Sequence, residues 1–138
     1  LLSRAFETSD PAARQEMLVG ARETFRALLD ENDQNPETWT VLAQTYVVPG
    51  ENVSLALAPI ERAFEQLPSS PIIKEMRAQV LLLSGQRLEA LRAIHDWLGF
   101  SHTRSVRSAN ERLDSMLENQ RKLAKSLGVE FVEPESSF

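Results

Sequence analysis

Apolar residues recur at three- and four-residue intervals along most of this chain, and the periodic stretches are punctuated by proline and glycine. That spacing predicts amphipathic helices. Asp10-Pro11, Asn35-Pro36 and Ser70-Pro71 each place a capping side chain before proline. The capping oxygen accepts from an orphan N–H, and proline at the first helical position has no N–H to lose. A fourth start is read at Ser108-Ala109-Asn110-Glu111 as a capping box, unless the helix begins earlier at Ser105. Gly50, Gly85, Gly99 and Gly128 are the stops, since glycine takes the left-handed conformation that ends a helix. Six helices follow, roughly 11–32, 36–48, 54–67, 71–84, 87–98 and 105–127. Their short connections predict antiparallel hairpins. Gly20 interrupts the first helix at a cost of about 1 kcal/mol against alanine, so it marks a break or a close backbone approach. Pro59 should kink the third helix or push its start to about Ala58. Only Val129–Val132 alternates as a strand does, in a tail that ends Glu133-Pro134.

A shift of thirty-five residues lays the segment from Pro36 over the segment from Pro71. Ala43-Gln44 then falls on Ala78-Gln79, Tyr46 on Leu81 and Gly50 on Gly85. With one extra residue after Gly50, Ala56 falls on Ala90, Ile60 on Ile94, and Ala63-Phe64 on Trp97-Leu98. Trp39 over Lys74, Leu42 over Arg77 and Ala63 over Trp97 are the exceptions. A helix–turn–helix unit of roughly thirty-four residues, with Trp, Leu, small, Tyr, Gly, Ala, aromatic, Ala and Pro at fixed steps, is the tetratricopeptide pattern. Residues 36–70 resemble it through Trp39, Leu42, Ala43, Tyr46, Gly50, Ala56, Ile60, Ala63 and Pro68. Residues 71–104 resemble a degenerate copy through Ala78, Leu81, Gly85, Ala90, Ile94 and Leu98. Residues 1–35 look like a partial copy, with Ala21, Phe25, Leu28 and Leu29 on its second helix and residues 1–8 as a remnant of the first.

The resemblance implies an all-α fold, a right-handed array of antiparallel helical hairpins. A single domain over residues 1–128 would end in a helix, 105–128, that covers the last repeat, and 129–138 would be an extended tail. It also implies a protein- or peptide-binding adaptor or scaffold whose concave groove is lined by the first helix of each pair. By position the groove would take Glu37, Thr40, Gln44, Val47 and Val48 from one copy, and Ile72, Glu75, Gln79, Leu82 and Leu83 from the next. Relatives that grip a C-terminal carboxylate use Lys and Asn in such places. Thr40, Gln44, Glu75 and Gln79 stand there instead, which favours an extended peptide or a helix laid in the groove. The competing reading is that Val47, Leu82 and Leu83 pack between helices. In bacteria, similar domains serve as periplasmic or cytoplasmic assembly factors within longer chains. The start at Leu1 and the truncated first copy fit an excised domain, with more chain or a partner against the N-terminal end. The alternative is a self-associating structural domain, a homodimer through the last helix or the N-terminal end. That helix carries an apolar stripe of Val106, Ala109, Leu113, Met116, Leu117, Gln120, Ala124 and Leu127.

Composition narrows the partners. The 138 residues are 42% apolar and 25% charged, enough to bury a core. A net charge of −5 disfavours nucleic acid. The lean of Arg104, Arg107, Arg112, Arg121, Lys122 and Lys125 reads as a solvated helix face. Apolar stretches are no longer than four residues, as at Val80–Leu83, so no membrane insertion is expected. Without cysteine there is no disulfide, thiolate nucleophile or Cys-based zinc site, and either cytoplasm or periplasm fits. His95 and His102 lack metal-ligand spacing. Glu61 with Glu65, and Glu31 with Asp33, read as surface charge. Pro49-Gly50-Glu51-Asn52 is a turn, not a phosphate loop, and Ser84-Gly85 lacks the hydrolase elbow. No enzyme, cofactor or metal is expected. Phe25, Trp39, Tyr46 and Phe64 are expected in the core.

Overall fold

The computed structural model describes residues 10–98 and 102–134. Phe6, Gly99, Phe100, Phe138 and the remnant read into residues 1–8 lie outside them, as do the side chains of Trp97, His102, Arg104 and Val106. Among the described residues the chain is all-α: α1 (Pro11–Glu31), α2 (Pro36–Gln44), α3 (Leu57–Gln66), α4 (Pro71–Leu83), α5 (Arg87–Leu98) and α6 (His102–Leu127). A single 3-10 turn, Val53–Ala56, leads into α3. The alternation at Val129–Val132 forms no strand.

Local chemistry sets the helix starts. The Asp10 carboxylate accepts from the Ala12 N–H at 3.1 Å, Asn35 accepts from Glu37 and Thr38, and Ser70 accepts from Ile73 at 3.3 Å. Asn52 does the same for the 3-10 turn, accepting from Ser54 at 3.2 Å. The start of α6 differs from expectation. Ser105 and Ser108 both lie inside it, because no proline or glycine stands between His102 and Gly128 to stop the helix growing backwards. Gly85 and Gly128, with φ of +85° and +72°, follow the ends of α4 and α6 in the conformation a stop requires, whereas Gly50, at +95°, turns the loop six residues past the end of α2. Gly20 neither breaks α1 nor lets another backbone approach: the helix runs straight through it, and a Cβ there would meet nothing within 4 Å. Pro59 sits in the first turn of α3, where its missing N–H has no helical acceptor to leave vacant.

α2 stops at Gln44, a turn short of the expected Val48. In a continuing helix the Thr45 carbonyl would accept from the N–H of residue 49, but residue 49 is proline. Proline also drives Val48 out of the helical region. Thr45 is fully buried, so its carbonyl needs a donor from elsewhere. Arg22 of α1 provides it, donating from Nη2 to Thr45 O at 2.7 Å and from Nε to Thr45 Oγ1 at 3.0 Å. The same guanidinium reaches Glu51 at 2.5 Å and stacks over the Tyr46 ring. In the second segment Ser84 stands where Pro49 stands in the first, and α4 continues to Leu83.

Neighbouring helices in the chain pack on one another, and α2 also touches α4 and α4 touches α6. Aligned positions, thirty-five residues apart before Gly50 and thirty-four after it, are buried alike: Ala43 with Ala78, Tyr46 with Leu81, Ala56 with Ala90, Ile60 with Ile94. One core gathers Leu29 with α2, α3 and α4, including Ile60 and Val80. A second gathers α4, α5 and α6 through Leu82, Ile94 and Leu113, and Leu57 and Leu83 touch both. A third, small cluster joins Leu18 of α1, Val48 and Leu127 of α6.

Of the expected core aromatics only Tyr46 is buried; Phe25, Trp39 and Phe64 are half-buried at the rim of the first core. At the rim, arginine takes the second face of two of these rings. Arg62 lies over Trp39 at 5.5 Å and Arg77 over Phe64 at 4.7 Å from the ring centre. This accounts for Arg77 at a position where the first segment has Leu42. Its stem covers an aromatic ring while its head pairs with Glu61 at 2.7 Å.

Candidate functional site

α6 has 26 residues and therefore spans about 39 Å, twice the length of α4. A helix that long overruns the last hairpin. Its first part, through Ala109, Leu113, Met116 and Leu117, joins the second core, and Arg87 of α5 pairs with Asp114 at 2.9 Å. Its second half continues past α4 to the loop after α2, and Leu127 ends against Val48 and Leu18. α6 thus crosses the face assigned to the groove.

The groove residues divide accordingly. Leu82 is 1% exposed, closed off in the second core, and Val48 is 4% exposed beneath Leu127. Val47 is buried in the first core, and Thr40 is buried with its hydroxyl donating to Pro36 O at 2.7 Å. Thr40 and Leu82 are closed off, while Val47 and Val48, though buried, border an open cleft. Gln44, Gln79 and Leu83 are half-buried, and Glu37 is exposed. Glu75 is exposed but pairs with Arg112 of α6 at 3.1 Å. Ile72, 72% exposed, stands in the first turn of α4. The α6 stripe offered as a dimer seam is spent inside the chain, from Ala109 through Leu127.

What remains open on this flank is a cleft of about 230 Å³. Tyr46 to Glu51, Val53, Leu83 of α4 and Gln120 of α6 form its walls, and residues 130–132 of the tail form its lip. Gly128 turns the chain back, and the Val129 N–H donates to Ala124 O at 3.0 Å. From there inward and outward positions alternate: Val129 and Phe131 are half-buried, Glu130 and Val132 exposed. Phe131 leans on the second core and Val129 on the third. Arg121 of α6 donates to Glu133 at 2.5 Å and to Glu118 at 3.2 Å. The hydrogen bond from Arg121 is the main reason the Glu133 carboxyl titrates below its ordinary range. Arg22 ties Thr45 and Glu51, at the two ends of the loop that walls the cleft, to α1.

Val53, Gln120 and the tail residues Glu130, Phe131 and Val132 belong to this site and were not singled out by repeat position. Their signals were the alternation after Gly128 and one polar residue, Gln120, in an otherwise apolar stripe.

Elsewhere, the acid pairs noted in the sequence meet arginine. Glu61 binds Arg77, while Arg62 lies 3.6 Å from Glu65 and 3.8 Å from Asp33. His95 lies beside Leu91 and Asp96 in an open depression on α5. Among the described residues no group of acids and histidines is placed to hold a metal ion, and no helix is long and apolar enough to cross a membrane. No protein-family model, curated protein or solved structure matches the chain.

Proposed function

We propose that this chain is a protein-interaction module, a tetratricopeptide-like set of helical hairpins that binds a partner segment non-covalently. The binding site is the cleft between the loop after α2, the end of α4 and the middle of α6. One observation carries this reading: non-helical chain, Glu130–Val132, already borders that cleft, with Phe131 half-buried between exposed Glu130 and Val132. A surface that accommodates such a segment has the apolar wall and polar rim that peptide recognition uses. Val47, Val53 and Leu83 contribute the wall; Glu51 and Gln120 contribute the rim. The reading is further supported by the common burial of the aligned positions in the two segments and by contacts of α2 with α4 and α4 with α6, as expected of stacked hairpins.

The test is selection of peptides from a display library against the intact chain, followed by amide-shift mapping of the winners. Binders should perturb residues 46–53, Leu83 and Gln120. Binders that map to the Phe64–Arg77 flank instead, or a library that yields none, would refute the assignment.

A further inference from the structure

We infer that residues 129–134 are a built-in occupant of the cleft, and that the partner is a short peptide of the same chemistry which displaces them. That chemistry is two apolar side chains two residues apart with acidic residues beside them. The inference rests on the binding function proposed above and adds to it the class of ligand and the way access is controlled.

Four observations point the same way. The tail is held at defined points: the Gly128 turn, the Val129 N–H on Ala124, Phe131 on the second core and Glu133 on Arg121. It is held incompletely, since Phe131 is only half-buried and Val132 is 78% exposed. About 230 Å³ beside it stays open against apolar walls, room for several waters at about 30 Å³ each. A side chain that fills this space better than the tail gains burial that the tail forgoes. Finally, the charge around the tail favours acids: Arg121, Lys122 and Lys125 are exposed on the α6 segment over which it folds. The tail supplies Glu130 and Glu133 there.

A tethered segment competes at an effective concentration in the millimolar range. Weak intrinsic contacts therefore keep the cleft occupied until a better-fitting peptide arrives. Loosening the tail must then raise the affinity for a free peptide without adding any contact to it.

The experiment uses the full chain and a fluorescent peptide carrying the sequence of residues 129–134, read by anisotropy. Glu133→Lys, at an exposed position, removes the clamp without touching the core; Phe131→Ser also removes the anchor. The peptide should bind both variants at least about tenfold more tightly than the unaltered chain. The same peptide with the Phe131→Ser change should not bind. Equal affinity for all three chains, or no binding to either variant, overturns the inference, as does a dimer built from exchanged tails on size exclusion. Display against the Glu133→Lys variant separates the two levels. Cleft binders without the apolar–acidic alternation would refute the tail's role and leave the binding function standing. A lack of any cleft binder would remove both.

Discussion

Pro49 withdraws a hydrogen-bond donor in a fully buried place, and an arginine twenty-seven residues earlier makes up the loss. The exchange has a measurable signature. Arg22→Met should lower stability by about 3 kcal/mol in urea unfolding, since it strands the Thr45 carbonyl and leaves Glu51 without its cation. In a Pro49→Ala background residue 49 regains an N–H for Thr45. There the Arg22 substitution should cost about 1 kcal/mol less, near the net worth of one hydrogen bond. Strict additivity would mean that Arg22 acts only on Glu51 and Tyr46. Gly20 gives the opposite case: exposed, helical and without neighbours, it contributes nothing that alanine would not. Gly20→Ala should raise stability by roughly 0.5–1 kcal/mol, and a loss on thermal melting would show that some contact requires the bare backbone. Trp39 belongs between these extremes. Half-buried, with its indole N–H donating to Asp33 O at 2.8 Å, it should cost about 2 kcal/mol on replacement by alanine.

Element boundaries were legible in the sequence wherever one residue and its next three decide them. Asp10, Asn35 and Ser70 cap as their types and positions imply, and each proline stands at the first helical position. The early end of α2 was not legible, because it depends on a donor from another helix. The path of α6 was not legible for a different reason. An apolar stripe states which side of a helix is buried, not which elements bury it, so the same residues served equally for covering one repeat or crossing all of them. The expected groove residues divide with it: Thr40 and Leu82 are buried, while Val47 and Val48, in the loop past the end of α2, border the cleft. The tail shows what a short element can do under pH control. Glu133 titrates below the ordinary carboxylate value, chiefly through its hydrogen bond from Arg121. A carboxyl lowered on folding contributes above its unfolded value, and the contribution is lost as pH falls through the lowered one. Tail contacts should therefore persist at neutral pH and loosen in the acid range. The Phe131 ring resonances should shift toward free-peptide positions on acidification, while the helices stay folded. In Arg121→Gln this pH step should disappear from the Phe131 resonances; a step of the same midpoint would assign it to another carboxyl.

At the scale of the molecule, two cores stand in series on opposite faces of α4, with Leu57 and Leu83 touching both among the described residues, a connection that leaves the outer elements of each half able to open separately. α6 changes that. It enters the second core with Leu113 and reaches the first helix with Leu127, so the loop after α2 and the beginning of α1 are fastened to the far hairpin. The clasp is small, formed by Leu18, Val48 and Leu127 with Met17, Leu123 and Val129 around them. Its effect is on cooperativity more than on total stability. The contrast between Leu127→Asp and Leu113→Ala isolates it. Leu113→Ala removes packing in the middle of the second core and should cost about 3 kcal/mol, lowering amide protection in α4, α5 and α6 together. Leu127→Asp puts a charge into the clasp. It should release the first two turns of α1, the loop at residues 45–50 and the last turn of α6, leaving the amides around Ile94 and Leu113 protected. Hydrogen exchange resolves the two patterns residue by residue. If Leu127→Asp instead lowers protection evenly through both cores, the molecule unfolds as one unit, and α6 is an ordinary core helix rather than a strap across two half-independent bodies.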